Sequence, residues 1–459
     1  MIFRLRNVLW FLALAIIISM SVDANSQGSE SPEVYDGLRL FSKAFSLIHA
    51  QYVEEMPAKT LVYGAIDGML KSLGDPHTRF LTPEAFKEMR VETEGSFSGL
   101  GIVIGIKQDR LMVISPIEGT PADLAGVKAG DYIIEINGTS TKNLSLLEAV
   151  QRLRGPQGSQ VIITIKRDGV EDPFKVTIIR AEIEVKSVKS DIIQQDIGYI
   201  RITNFTQKTP KEFEDALIKL EKKGMKNLVI DLRNDPGGLL ESAIDVADNL
   251  LPKDALIVSI AGRQQEMNRE FRTTGKGLCL DKPIIILLNE GSASASEILA
   301  GAIKDNKRGL TIGVKSYGKG SVQTLLPLLD GSGIALTTAK YFTPSGVCIH
   351  GKGIVPDVIA EMPEITSKDH EMWMKLDDSP YLKEFAKGHS SYTDEDIKNL
   401  QRSLAKNGIE LSEIILRRAV NIEIGRLNGG KELVCDLKCD PQLQRAVDIL
   451  VATKLLQHK

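Results

Sequence analysis

Cysteine and histidine, which build many metal sites, are scarce in this chain. Its 459 residues include only four cysteines and six histidines. Cys279 and Cys348 stand apart, whereas Cys435 and Cys439 are four residues apart, with no second pair of ligands nearby. A zinc site needs such a second pair, so we expect neither a metal nor another cofactor. Cys435 and Cys439 are predicted either to form a disulfide or to be buried free thiols.

A strong charge imbalance is also absent. The 57 lysines and arginines nearly balance the 60 aspartates and glutamates, which gives a net charge of −3. Nucleic-acid-binding domains need a basic excess, so we expect no nucleic-acid partner. Hydrophobic residues make up 42% of the chain, which suffices for large cores. The length predicts about three domains, and no internal repeat is evident.

Only one long apolar run occurs, and it is short for a membrane span. Val8 to Met20 covers 13 residues, follows Arg4 and Arg6, and precedes small residues suited to cleavage. As a helix it would extend about 20 Å, against roughly 30 Å of bilayer hydrocarbon. This charge order is typical of a secretory signal. Residues 1–24 are therefore predicted to be a signal peptide or an N-terminal anchor.

Four segments of different pattern follow. Residues 33–93 show helical spacing, residues 94–183 are β-rich, residues 184–360 alternate strands with helices, and residues 361–459 are helical and polar. Strand-helix-strand order with apolar strands predicts a mainly parallel sheet covered on both faces. We expect an α/β core of ββα type, an inserted β-rich domain, and helical segments at both ends. The last segment is predicted to serve packing or assembly.

Several local signals support this division. Thr82 is predicted as a helix N-cap with Pro83 at the first helical position, and Thr209-Pro-Lys-Glu212 has the pattern of a capping box. Strands of the core are predicted at Gly198–Ile202, Leu228–Leu232, Ile257–Ile260, Ile284–Leu288 and Leu310–Val314. Helices are predicted between them.

The β-rich segment contains a glycine turn that leads into a strand. The turn comprises Gly99, Leu100, Gly101 and Ile102, and one helix is predicted at Leu144–Leu153. Free N–H groups in a glycine turn hold a carboxylate, and an exposed strand edge accepts a peptide. The order of elements resembles a PDZ domain, with these four residues in the place of the carboxylate-binding loop.

The stretch Asn289–Glu297, with the sequence Asn-Glu-Gly-Ser-Ala-Ser-Ala-Ser-Glu, lies between a predicted buried strand and a helix. A serine at such a corner stands exposed beside the free N–H groups of the helix start. Ser294 is the candidate nucleophile. Ser292 and Ser296 are rivals, and Ser296 is expected to be the helix N-cap.

The nucleophile needs a base. Only His350 follows Ser294 within the α/β region, and no His-Asp pair suggests itself. Lys319 comes 25 residues after Ser294 between two glycines, and Gln323, four residues on, lies on the same face and could orient it. A useful lysine base needs its pKa lowered from about 10.4 to about 7–8 by desolvation. We expect a closed apolar pocket, because an ion pair with Glu297 would stop the chemistry.

The oxyanion formed during attack needs two N–H donors. Ala295 follows the nucleophile at the helix start and supplies one candidate. Gly237 and Gly238, in the turn after a predicted parallel strand, are alternative sources of the second. Neighbouring parallel strands end at the same edge of the sheet, where such folds place their sites.

These motifs, in this order, resemble those of the C-terminal processing peptidases, also called tail-specific proteases. The matching stretches are Asp75–Thr78, the PDZ-like segment, Asp231–Gly238, Asn289–Glu297, Gly318–Gln323, Phe342–Gly346 and Gly353–Asp357. One departure is Val-Cys-Ile-His at 347–350, where many members carry Arg-Ser-Ile-Gln.

The resemblance implies a serine endopeptidase with a Ser294–Lys319 dyad supported by Gln323. It also implies a PDZ domain that captures the C-terminal tail of a protein substrate and gates the site. As a separate hypothesis, tail binding at the glycine turn reorders the site through the segment around Arg180 to Ile183. The family's location is extracytoplasmic, in the periplasm or at the outer face of the inner membrane, which fits the signal pattern. Proteins or peptides with accessible C-termini are the expected partners.

Other interpretations stay open. The chain could be a catalytically silent PDZ scaffold on a protease-like core. It could also be a ligand-binding or acyl-transfer protein on a similar core. Membrane association through the N-terminal segment and homo-oligomerisation are further open questions.

Overall fold

The computed structural model describes residues 32–107, 109–117, 119–194, 196–377, 379–389, 391–427 and 437–457. The predicted signal segment and Cys435 lie outside these residues. The chain divides into two compact units, the first ending at Phe80 and the second beginning at Leu81. No helix in the described ranges is both long and apolar enough to span a membrane.

The first unit is helical, as its spacing predicts. It contains α1 (Pro32–Gln51) and α2 (Ala58–Lys71), and strand β1 (Arg79–Leu81) lies at the boundary. No residue of α1 is buried, and apolar side chains such as Leu38 and Phe41 are exposed. Helix α1 therefore does not form a core of its own within this unit.

The second unit opens with α3 (Pro83–Glu94). Thr82 accepts a hydrogen bond from the backbone N–H of Ala85 at 3.3 Å, which confirms the predicted N-cap. Gly95 ends the helix in the left-handed conformation that favours glycine.

The β-rich segment forms a small antiparallel domain. Its elements are β2 (Ser96–Gly99), β3 (Ile102–Lys107), β4 (Arg110–Pro116), α4 (Pro121–Leu124), β5 (Tyr132–Ile136), β6 (Thr139–Ser140), α5 (Leu146–Leu153), β7 (Gln160–Lys166), β8 (Phe174–Ile179) and β9 (Ala181–Glu184). The main sheet has the order β3-β4-β5-β7-β8, so β3 is an edge strand. Strand β2 pairs separately with β9. A core of its own, which includes Val113, Ile133 and Ile163, holds the domain together.

The α/β core contains two sheets. Its elements are β10 (Val188–Ile193), β11 (Ile197–Ile202), α6 (Thr209–Lys222), β12 (Asn227–Asp231), α7 (Leu240–Asp248), β13 (Leu256–Gly262), β14 (Arg269–Arg272), β15 (Ile284–Leu288), α8 (Ala295–Asp305), β16 (Leu310–Gly313), β17 (Ser321–Pro327), β18 (Gly333–Phe342) and β19 (Val358–Ile359). The first sheet has the order β10-β11-β12-β15-β16-β19, and only the β10–β11 pair is antiparallel. This confirms the mainly parallel sheet.

Strand β13 is correctly predicted as a strand, but it does not join the parallel sheet. It pairs antiparallel with β14 and with β18, and β18 also pairs with β17. The apolar pattern of β13 suits either sheet, because burial dictates the side chains and not the partner strand.

The capping box predicted at the start of α6 is wrong. Thr209 lies inside the helix, and its hydroxyl accepts the N–H of Thr206 at 2.8 Å. Glu212 instead accepts the N–H groups of Ser187 and Val188, at 2.8 and 3.0 Å. The pair therefore fastens the chain that enters β10 rather than the helix end.

The C-terminal segment is helical and divides into two parts. Its helices are α9 (Ser367–Asp377), α10 (Tyr381–Gly388), α11 (Asp394–Lys406), α12 (Glu413–Leu427) and α13 (Pro441–Gln457). Helices α9 to α12 share one apolar core. Helix α13 instead packs Leu443, Ala446, Val447 and Leu450 against the parallel sheet. The last helix is therefore part of the α/β core.

Candidate active site

Ser294 lies at a strained corner between β15 and α8. Its φ of 54° and ψ of −112° are rare for a residue with a side chain, and such geometry costs about 1–3 kcal/mol. Strain of this kind is retained where a function depends on it. Ser294 is 7% exposed, so it is buried but not completely sealed from solvent.

The two rival serines are engaged in the structure. The hydroxyl of Ser292 donates to the carbonyl of Leu232 at 2.8 Å, and that of Ser296 donates to the carbonyl of Asp235 at 3.1 Å. Both residues are fully buried. The expectation that Ser296 caps α8 is wrong, because the helix begins at Ala295 and Ser294 is its N-cap residue.

A single buried carboxylate connects the loops of the predicted dyad. Glu297 accepts four hydrogen bonds, two on each oxygen. Its Oε1 accepts the Ser316 hydroxyl at 2.6 Å and the Gly318 N–H at 2.7 Å. Its Oε2 accepts the N–H groups of Ser294 and Lys319, each at 2.9 Å. Because these two nitrogens bind one oxygen atom, they lie no farther apart than twice 2.9 Å.

Glu297 therefore has a role that the sequence did not suggest. Burial raises the pKa of its carboxyl group, while the four donors favour the charged form. A carboxylate offers about four lone-pair sites, and these are filled by one hydroxyl and three backbone N–H groups. The side chain holds the backbone of Lys319 in place.

Lys319 lies in the loop between β16 and β17 and is half-buried. Steric constraints explain why glycine lies on either side of Lys319. Gly318 has a φ of 92°, and a Cβ on Gly320 would collide with the backbone nitrogen of His350. The N–H of Gly351 donates to the carbonyl of Gly318 at 2.9 Å. The stretch that departs from the family pattern therefore packs directly against the lysine loop.

Gln323 lies on β17, two strand positions from its start. Its amide nitrogen donates to the hydroxyl of Ser321 at 2.8 Å and to that of Thr337 at 3.3 Å. The pairing of β17 with β18 is irregular between Val322 and Gln323. Such irregularities redirect side chains near functional sites.

The turn after β12 approaches Ser294 closely. A Cβ added to Gly237 would lie 2.8 Å from both the Ala295 nitrogen and the Ser294 Cβ, so only glycine fits. The N–H of Gly237 donates to Asp235 Oδ1 at 2.8 Å. In the described ranges, the N–H groups of Gly238 and Ala295 donate to no protein acceptor. Of the three N–H groups that the sequence suggested as donors, that of Gly237 is therefore the one already engaged.

Burial raises the pKa of Asp235, at the start of this turn, to about 7. The turn itself is fastened to the nucleophile loop at several points. The side chains of Asn234 and Asn289 interlock, since Asn289 Oδ1 accepts the Asn234 N–H at 2.8 Å and Asn289 Nδ2 donates to Asn234 Oδ1 at 2.9 Å. The carbonyl of Asp235 accepts the N–H of Ala293 at 3.0 Å.

Arg233 links the same turn to the C-terminal helix, a contact that the sequence patterns do not reveal. It donates to both oxygens of Asp231, at 2.9 and 2.6 Å, and to both oxygens of Asp440, at 2.7 and 2.5 Å. Gln442 accepts a further bond at 3.0 Å. The two carboxylates raise the pKa of Arg233, and Arg233 in turn lowers the pKa of Asp231 despite its burial.

The predicted carboxylate-binding loop is placed between β2 and β3. Gly101 has a φ of 77°, and Leu100 points its side chain into the domain core. The N–H groups of Leu100 and Gly101 donate to no acceptor within the ranges the structure describes. Gly99 ends β2 and Ile102 begins the edge strand β3. The loop thus leads directly into a strand edge that can accept a peptide.

Metal ligation has no evident site here. Over the part of the chain that the structure describes, no three or more His, Cys, Asp or Glu side chains are arranged to hold an ion.

Comparison with known proteins gives a consistent result. The profile for peptidase family S41 matches residues 196–360, that for a PDZ domain matches 112–167, and that for the activating protease CtpB N-terminal domain matches 15–85.

The carboxy-terminal-processing protease of Bartonella bacilliformis is 42% identical over 78% of this chain and 83% of its own length. The carboxy-terminal processing protease CtpA of Bacillus subtilis is 36% identical over 87% and 82%. A solved photosystem II D1 C-terminal processing protease is 33% identical over 72% of this chain and 95% of its own, with a TM-score of 0.43. The chain therefore belongs to the C-terminal processing proteases of peptidase family S41, and it is a serine-type peptidase with a PDZ domain.

Proposed function

We propose that this protein is an exported endopeptidase that binds the C-terminal tail of a protein substrate in its PDZ domain and cleaves with a Ser294–Lys319 dyad. The observation that supports the dyad most directly is the shared anchor. One oxygen of Glu297 holds the backbone N–H groups of both residues at 2.9 Å. The serine occupies a strained corner, and the lysine loop is fixed beside it.

The proposed reaction follows the serine protease sequence of steps. Ser294 Oγ attacks the scissile carbonyl while the Lys319 amine takes its proton and later donates it to the leaving amine. Water then hydrolyses the acyl-enzyme. The N–H groups of Gly238 and Ala295 are assigned to the oxyanion, and Gln323 is assigned to orient the amine.

The lysine must lose its proton before it can act. Lowering its pKa by about three units corresponds to roughly 4 kcal/mol of differential solvation, at about 1.36 kcal/mol per unit. Lys319 is already half-buried. A substrate chain laid over it would remove the remaining water and favour the neutral amine.

The PDZ domain is proposed to supply specificity. A tail would extend along β3, with its carboxylate at the N–H groups of Leu100 and Gly101. The loop is continuous with β2, which pairs with β9 through Gly99 and Ala181. Arg180, next to β9, donates to the carbonyl of Leu153 at 2.9 Å at the end of α5. Tail binding is therefore proposed to reach the core through this pair of strands.

The dyad is tested by replacing each member. Lys319→Ala should abolish cleavage of a tail-bearing substrate without unfolding the protein, whereas Lys315→Ala, an exposed lysine in the same loop, should cleave normally. A fluorophosphonate probe should label the wild type and Ser292→Ala but not Ser294→Ala. Unchanged cleavage by Lys319→Ala would eliminate the dyad. Tail binding by a wild type that neither cleaves nor takes the label would instead indicate a silent scaffold.

Export is proposed from the N-terminal sequence. Arg4 and Arg6 precede the apolar run Val8–Met20, which is a secretory order. Fractionation of cells that make the full-length protein should find it outside the cytoplasm, and Arg4→Glu with Arg6→Glu should reduce export. A wild-type protein confined to the cytoplasm would refute the proposal.

A further inference from the structure

A buried carboxyl group at the oxyanion turn has no part in the steps above. Asp235 has no solvent exposure. Its Oδ1 accepts the N–H of Gly237 at 2.8 Å, and its backbone carbonyl accepts the Ala293 N–H at 3.0 Å and the Ser296 hydroxyl at 3.1 Å. Asp235 is therefore fastened to residues on both sides of the nucleophile Ser294.

The second oxygen of this carboxyl group is unsatisfied. Asp235 Oδ2 is buried and has no hydrogen-bond partner in the described part of the chain. Nor does any lysine or arginine there form an ion pair with Asp235. A buried carboxylate without a counter-charge is costly, and such groups keep their proton instead. The geometry thus favours the neutral acid.

The surroundings act on this group in opposing directions. Burial raises the pKa of Asp235 to about 7. Against this, the Gly237 N–H and the Ser296 hydroxyl lower its pKa, and Arg201 on β11 lowers it further. The charge of Asp231 on β12 raises it. Helix α8 contributes Glu297, whose lone pairs are filled by other donors. Lys319, in the loop that Glu297 holds, is a further titratable group of the proposed site.

We propose that Asp235 is a positioning residue that works as a neutral carboxylic acid, and that its ionisation weakens the oxyanion site. Its Oδ1 holds Gly237, whose Cβ position is 2.8 Å from the Ala295 nitrogen and from the Ser294 Cβ. A negative charge on this side chain would repel the oxyanion that forms when Ser294 attacks. This inference rests on the proposed serine chemistry and adds an upper pH limit to it.

The test compares pH profiles. In the wild type, kcat/KM should rise as Lys319 loses its proton and fall as Asp235 loses its own. Asp235→Asn keeps an acceptor for the Gly237 N–H but cannot ionise. The ratio of its kcat/KM to that of the wild type should rise by about tenfold or more between about pH 6 and about pH 9.

Asp248→Asn is the matched control. Asp248 is also buried, but hydrogen bonds from Thr274 and Gly275 lower its pKa, so it stays ionised. The ratio of the kcat/KM of Asp248→Asn to that of the wild type should therefore not change with pH. A ratio for Asp235→Asn that is constant with pH would overturn the inference. If that variant fails to fold, the wild type alone tests the inference. A rate of fluorophosphonate labelling that does not decline at alkaline pH would then overturn it. No labelling of Ser294 at any pH would overturn the proposed function as well, whereas labelling with a constant ratio overturns only the role of Asp235.

Discussion

Replacement of Glu297 by glutamine tests whether one carboxylate assembles the dyad. The side chain keeps its length and volume but has one acceptor oxygen instead of two. Whichever way the amide is turned, its NH₂ group faces two donors. They are either the N–H groups of Ser294 and Lys319 or the Ser316 hydroxyl and the Gly318 N–H.

The cost follows from the number of hydrogen bonds. Those to a charged acceptor contribute about 1.5–3 kcal/mol each, so losing two costs about 3–6 kcal/mol. This is a large part of the roughly 5–15 kcal/mol by which domains are stable, yet the fold should survive. If only half of that loss, about 1.5–3 kcal/mol, appears as displacement of the serine and lysine in the transition state, kcat/KM falls roughly 10- to 150-fold.

Three measurements on one preparation decide the matter. Denaturant unfolding should show lower stability, while kcat/KM on a tail-bearing peptide and the rate of fluorophosphonate labelling should both fall. Glu290→Gln is the control, because it makes the same chemical change at an exposed residue of the same loop and should alter none of the three. If Glu297→Gln cleaves and labels within about threefold of the wild type, the shared anchor does not assemble the dyad.

Three other variants test separate features. Asp440→Asn removes a bidentate charged partner from Arg233 and should lower the unfolding free energy by about 1.5–3 kcal/mol in a denaturant titration; an unchanged value would show that the contact is not stabilising. Gly101→Ala places a Cβ against Thr120 in a left-handed backbone, and should raise KM for tail-bearing peptides about tenfold with little change in kcat, measured against a tail-less peptide. The raised pKa of Asp235 means that the folded state binds its proton more tightly, so stability from this group is present below about pH 4 and lost as pH rises to about 7. The unfolding free energy of Asp235→Asn relative to wild type should therefore increase by about 4 kcal/mol over that window, and a flat difference would contradict the raised pKa.

Much of the fold was predictable because its signals are local. The apolar runs that became β12 and β15 are fully buried in the parallel sheet, as their composition indicated. The glycines beside Lys319 and the small residues around Ser294 marked loops whose backbones approach closely. By contrast, β13 belongs to a second sheet, because its partner β18 lies about 80 residues later in the chain and no local pattern specifies that pairing.

The parts of the site that escaped prediction depend on distant contacts. Glu297 could be suspected of pairing with the lysine side chain, but only the fold shows that it holds three backbone N–H groups. The contact between Arg233 and Asp440 joins residues 207 positions apart. Ser296 is a residue type that often caps helices, yet Ser294 is the N-cap and the helix begins two residues before the predicted point.

The position of helix α13 at the end of the core affects when, during synthesis, the protease can become active. This helix is made after every other element of the core. Its apolar side chains cover the sheet, and Asp440, immediately before it, binds Arg233. Nascent chains fold as they emerge, from the N-terminus onward. A nascent chain that still lacks this helix would therefore hold Ser294 in an incomplete core, and we expect it to cleave poorly.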